Sequence, residues 1–205
     1  ALGTLGAEES CCGDPAHRLG ANEIFSELAL KNTDLFLQAG VQKILTTSPH
    51  CLNAFKNSYD GLKDSVVIEH YTELLDRLLT QGDLRPTLEV PATVTYHDPC
   101  YLGRYEQIYD QPRDLIASTG VNLMELPRHR SRSFCCGGGA AGFAMTQESE
   151  GMRVDQMRKQ EVIDSGADVL VTGCPECKMM LNSAVEQTLD IAELLAAPAD
   201  QGSTA

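Results

Sequence analysis

The 205-residue chain has no tryptophan, few cations and no long apolar run. The missing run excludes a membrane-spanning helix, which takes roughly 18 consecutive apolar residues. Lys and Arg number 16 against 29 Asp and Glu, for a net charge of -13 and a pI near 4.7. So large an acidic excess excludes nucleic acid as a partner, because neutralising phosphates takes clustered Lys and Arg. No signal peptide or basic-apolar leader is expected ahead of Ala1. The expected location is therefore cytoplasmic, with any membrane association made through a partner. Hydrophobic residues at 42% and charged residues at 22% exclude a disordered chain. Cysteine is what stands out. Eight in 205 residues, about 4%, is below the roughly 8–10% of small disulfide scaffolds.

The chain also repeats itself. Gly40, Ser48, Pro49 and Cys51 correspond to Gly166, Cys174, Pro175 and Cys177 at an offset of 126. Cys11-Cys12-Gly13 corresponds to Cys135-Cys136-Gly137 at an offset of 124, and Thr72-Glu73-Leu74-Leu75 to Ala192-Glu193-Leu194-Leu195 at 120. The counterpart of His97-Asp98-Pro99-Cys100 would fall before residue 1. The first repeat thus reads as cut short, and the chain as either a fragment or one completed by another polypeptide. Gly82, Pro86 and Pro91 mark a linker over 81–91. The expected domains are 1–85 and 90–197, followed by a flexible tail over 198–205.

Strands and helices alternate. In the second repeat, strands are expected over Thr93–Tyr96, Asn122–Leu126 and Asp168–Thr172. Helices are expected from Pro112 to Gly120, over Gln147–Asp164 with Met152, Met157 and Ile163 inward, and from Pro175 to about Gln187 with Met179 and Met180 in the core. In the first repeat, helices are expected over Asn22–Gln38 and Thr72–Leu79, and strands over Lys43–Thr47 and Val66–Ile68. The fold class is α/β, with parallel sheets flanked by helices.

This scaffold puts cysteines at the carboxyl ends of strands, where open α/β sheets build their sites. Cys100, Cys135, Cys136, Cys174 and Cys177 follow the three second-repeat strands. Cys177 falls in a first helical turn, which favours thiolate, the metal-binding form. Gly137, Gly138 and Gly139 let the backbone pass close to a bulky group and leave it unroofed, so the site is expected near the surface. Adjacent cysteines rarely pair with each other as a disulfide, which argues against simple cross-linking. Thiolates suit iron–sulfur clusters and zinc alike, so both remain open at this point, beside a Cys-x-x-Cys dithiol. Five ligands exceed the four of an ordinary cubane. His97 and Asp98 flank Cys100 as candidate supporting groups. Arg128, His129, Arg130 and Arg132 are candidates for charge compensation and for guiding an anionic partner.

The spacing Cys100-x34-Cys135-Cys136-x37-Cys174-x-x-Cys177 resembles the cysteine-rich CCG domain of the heterodisulfide reductase catalytic subunit and its relatives, among them electron-transfer-flavoprotein:quinone oxidoreductase-type iron–sulfur subunits. The stretches Glu8 to Pro15, Tyr96 to Tyr105 and Phe134 to Gly137 also resemble that last group. The resemblance implies two CCG domains and a non-cubane 4Fe-4S cluster. It also implies two-electron exchange between a flavin or ferredoxin donor and a disulfide or quinone acceptor. The implied partners are a ferredoxin-like or flavoprotein subunit and a membrane quinone-reducing partner. The other reading is a zinc-bound or metal-free interaction domain of the same fold. The first repeat departs from the pattern. Ser48 stands where Cys-Pro-x-Cys has its first Cys and reads as a helix N-cap. Cys11, Cys12 and Cys51 are left as a weak or vestigial site. The ferredoxin run Cys-x-x-Cys-x-x-Cys-x-x-x-Cys-Pro, which many relatives carry, is absent from these residues.

Overall fold

The structure is a computed structural model that describes residues 2–86, 93–139, 141–144 and 151–196. A short helix α1 (Asp14–Arg18) and the longer α2 (Asn22–Gln38) lead into β1 (Lys43–Thr46), α3 (Pro49–Asn57), β2 (Val67–His70) and α4 (Tyr71–Gln81). The second repeat adds β3 (Thr93–His97), α5 (Asp110–Ala117), β4 (Asn122–Met124), α6 (Val154–Ser165), β5 (Val169–Thr172), α7 (Pro175–Leu181), β6 (Gln187–Asp190) and α8 (Ile191–Ala196). β1 and β2 pair in parallel; β4, β3, β5 and β6 form a second sheet in that order, every pair parallel. The unit β1-α3-β2-α4 recurs as β5-α7-β6-α8, with each start displaced by the offset the repeat predicts.

The two central strands, β3 and β5, are buried almost throughout, as strands covered on both faces must be. From β3 the chain moves outward to β4, and from β5 outward to β6. The connections therefore diverge between β3 and β5, which opens a crevice at their carboxyl ends. Thr172 Oγ1 donates to the His97 carbonyl (3.1 Å) and ties those two ends together.

The two repeats share a core. Tyr71, from α4 of the first repeat, is buried with Val94, Tyr96, Leu115, Val171 and Ile191 of the second. Its hydroxyl donates to Asp190 Oδ1 at 2.8 Å. Leu52 of α3 packs on Leu102 and Ile108.

Several boundaries differ from expectation. α5 begins at Asp110, so Pro112 sits in its first turn, where its missing N–H costs nothing. The helix expected from Gln147 begins at Val154; residues 147–150 lie outside the described set, as do 87–92 of the linker and the tail from 197. Met152, Met157 and Ile163 are exposed, and α6 instead buries Asp155, Arg158 and Val162. Met180 is in the core but Met179 is exposed. α7 stops at Leu181, and Gln187 opens the edge strand β6 rather than ending a helix. Among the described residues no helix is long and apolar enough to cross a membrane.

Candidate metal centre

The loops that leave the carboxyl ends of β3, β4 and β5 carry sulfur. Cys100 follows β3 and precedes a π-helical turn over Tyr101–Tyr105. Cys135 and Cys136 follow β4, beyond the 3-10 turn Arg130–Arg132. Cys174 follows β5 in an extended conformation, at the N-cap of α7. Residues 35 and 41 apart in sequence thereby become neighbours. Thiol–thiol contacts join Cys100 to Cys135, Cys135 to Cys136, and Cys177 to both Cys136 and Cys174. The Cys136–Cys177 sulfur separation is 3.3 Å. The five sulfurs thus form one continuous row, and all eight cysteines are free thiols.

The row is polarised. Hydrogen bonds from Cys100 and Cys136, with help from the Gly137 amide (3.3 Å), pull the Cys135 pKa well down. Those same hydrogen bonds to Cys135, with burial, raise Cys100 and push Cys136 up to about 12. Gly137 has φ +83°, a conformation an L-residue rarely adopts, and a Cβ at Gly138 would meet Met180 Cγ at 2.9 Å. The site is less open than expected from the glycines. Cys136, Cys174 and Cys177 are buried, and only Cys100 and Cys135 are half-exposed, because Met180 and the first repeat close over the glycine run.

His97 and Asp98 do different work. Asp98 is 2% exposed and chelates Arg113 at 2.8 and 2.9 Å. It also accepts the Arg130 amide (2.8 Å), and its carbonyl accepts the Ser133 hydroxyl (2.9 Å). It thereby fastens the Cys100 loop to the segment entering Cys135. His97 is fully buried and lies within 4.8 Å of the Cys136 and Cys177 sulfurs. Its Nδ1 is 3.0 Å from the Arg158 Nε, which can only donate. Nδ1 is therefore the acceptor, and the ring hydrogen sits on Nε2. Burial, then the Arg158 charge, holds the ring neutral.

Two arginines of the basic loop make ion pairs of their own. Arg130 enters its turn with φ +53° and pairs with exposed Asp110. Arg128 lies over the Phe134 ring and pairs with Glu161. Among the described residues Arg132 makes no ion pair. The cation that acts on the row is Arg104, which bonds the Ser133 carbonyl at 2.7 Å and lowers the Cys100 pKa, while Arg158 acts on the neighbouring His97. Arg158 was detectable in the sequence: it shares the inward face of α6 with Val154 and Val162, four residues to either side.

In the first repeat, Cys12 and Cys51 approach to 3.2 Å, while Cys11 is exposed. Asn32 and Tyr59 hold the Cys11 and Cys12 carbonyls. Ser48 occupies the N-cap position of α3 but makes no capping bond. Its hydroxyl instead donates to Glu176 of the second repeat, at 3.3 Å to the nearer oxygen.

The cysteine-rich domain family, CCG, matches over residues 2–56 and 94–182. The chain belongs to the CCG family. Both repeats are CCG domains, and the Cys-Cys-Gly and Ser/Cys-Pro-x-Cys segments recur in each. Among curated proteins, the "Probable iron-sulfur-binding oxidoreductase FadF" of Bacillus subtilis is 39% identical over 201 residues, covering 94% of this chain and 28% of that protein. The EtfAB:quinone oxidoreductase of Syntrophomonas wolfei is 34% identical, covering 95% and 29% respectively. A dihydromethanophenazine:CoB--CoM heterodisulfide reductase polypeptide of Methanosarcina acetivorans is 32% identical, covering 86% and 45%. This CCG pair thus spans under a third of the first two relatives and under half of the third.

Proposed function

We propose that the chain is the CCG portion of an iron–sulfur oxidoreductase. In this reading Cys100, Cys135, Cys136, Cys174 and Cys177 hold a 4Fe-4S cluster of non-cubane type. The observation that carries it is the continuous row of five sulfurs at the β3–β5 crevice. All-thiol donor sets suit iron–sulfur clusters, and five exceed the four that a cubane or a structural zinc uses. The bound cluster would supply electron storage. The chain's own groups shape that: the Gly137 amide donates to the Cys135 sulfur at 3.3 Å, and such a contact raises a cluster's reduction potential. Asp98 and Arg113 keep two of the ligand loops in register.

The relatives' names support electron passage between a flavoprotein or ferredoxin-like donor and a disulfide or quinone acceptor, within a larger cytoplasmic or membrane-attached assembly. Cys11, Cys12 and Cys51 contribute little to iron binding in this reading. The test is anaerobic iron, sulfide and zinc analysis with an absorption spectrum. Cys136→Ser and Cys174→Ser are expected to lose most of the iron, and Cys51→Ser to keep it. Zinc without sulfide, or equal losses from both repeats, would overturn the assignment.

A further inference from the structure

The two Ser/Cys-Pro-x-Cys turns face one another across the repeat boundary. His50 and Glu176 occupy the same position x in the two turns, 126 residues apart. Glu176 reaches the first residue of the opposite turn, Ser48. His50 does the reciprocal thing: a ring nitrogen, the Cys174 sulfur and a Glu176 oxygen lie within 4.8 Å of one another. The Cys174 thiol now donates to that carboxylate at 3.2 Å, so a proton occupies the space between two potential ligands.

The histidine ring is fixed for ligation. His50 Nδ1 lies 2.9 Å from Oδ2 of Asp14, which is 1% exposed. The other oxygen of Asp14 pairs with Arg18 at 3.1 Å, which keeps the carboxylate charged. A charged carboxylate only accepts, so Nδ1 carries the hydrogen and Nε2 is the nitrogen left to bind a metal. Tyr101 packs on the ring, with centroids 4.1 Å apart. Metal-binding histidines characteristically hold a carboxylate through their other nitrogen in this way. His97 is the opposite case, since its Arg158 contact leaves it only a hydrogen to present.

We infer that His50 is a metal ligand which the first repeat lends to the second. With Cys174 and Glu176 it completes a nitrogen, sulfur and oxygen donor set for the metal at that end of the sulfur row. Such a mixed set suits a borderline divalent ion, zinc or iron(II). The site shares Cys174 with the proposed cluster, but its test does not depend on that cluster.

The test adds 113Cd to metal-free full-length protein labelled with 15N-histidine. Cadmium accepts the same thiolate and imidazole donors, and the chain has only five histidines. A 113Cd–15N coupling at His50 Nε2 is expected, absent in His50→Gln. Asp14→Asn keeps the shape of the contact and is expected to weaken cadmium binding about tenfold or more. Cadmium bound with no change at His50 Nε2 would overturn the inference, even if iron and sulfide analysis upholds the cluster. The coupling in a protein that fails to take up iron would sustain the inference and sink the cluster.

Discussion

Asp98→Asn is the sharpest probe of how the ligand loops are held. The substitution keeps size and shape but removes the charge that Arg113 chelates. Both groups are buried, at 2% and 7% exposure. Breaking such a pair costs about 3–5 kcal/mol when the remaining charge is left alone. Arg113 is not left alone, because Glu125 still bonds it at 2.9 Å. The Arg130 amide and the Ser133 hydroxyl also keep acceptors. What is lost is one hydrogen bond outright, because the new amide NH2 donates where a carboxylate oxygen accepted, and the charge assistance of the other, at about 1.5–3 kcal/mol for each bond to a charged group at most. A total near 3 kcal/mol is therefore expected. For a chain of this length that lowers the Tm by roughly 6–12 °C at 2–4 °C per kcal/mol. Urea unfolding followed by far-UV circular dichroism measures it, tryptophan fluorescence being ruled out by composition. Iodoacetamide should also label Cys135 faster in the variant, because the strap across its loop is slack. Stability within about 0.5 kcal/mol of wild type, the range of ordinary surface changes, would refute the reasoning.

Three further expectations follow from the same contacts. Gly137→Ala places a side chain at φ +83° and should cost about 1–2 kcal/mol, measured by thermal unfolding; a neutral effect would mean that the turn can relax. Burial holds the His70 pKa down to about 4, against about 6.5 in the unfolded chain. Between those values the unfolded chain takes a proton that the folded one refuses, so stability is full above pH 6.5 and falls by up to about 3 kcal/mol as pH drops to 4. His70→Gln should flatten the urea midpoint across that window, and an unaltered slope would remove His70 from the account. In metal-free protein at pH 7, 15N shifts should report His97 as neutral with its hydrogen on Nε2; hydrogen on Nδ1 would contradict the Arg158 contact.

The fold was legible wherever local pattern and burial agree. β-branched runs marked β3 and β5, and the repeat placed their helices. β6 was missed because an edge strand needs only one buried face, and Gln187–Asp190 carries little β-branching. α6 was found with its faces inverted. Hydrophobicity points Met157 and Ile163 inward, but Arg158 goes inward because it can satisfy His97, Glu161 and the Arg128 carbonyl at once. The cysteines were legible through their spacing and the strand-end rule. The roles of Ser48, His50 and Glu176 were not, since each depends on a residue more than 120 positions away in the chain, or on a carboxylate brought in by folding.

The burial of Tyr71 and α4 against the second sheet means that the duplicated halves are not spare copies. Shortening the polypeptide to one of them would strip a wall from the other, exposing Val94, Tyr96 and Ile191 to water. Heat or denaturant should therefore melt both halves in a single step. Mutations can erode the cysteines of the first half, provided its packing surface and His50 survive. Drift in such a pair is constrained by the seam and permitted at the chemistry, which is how one half can lose a cysteine to Ser48 and still be retained.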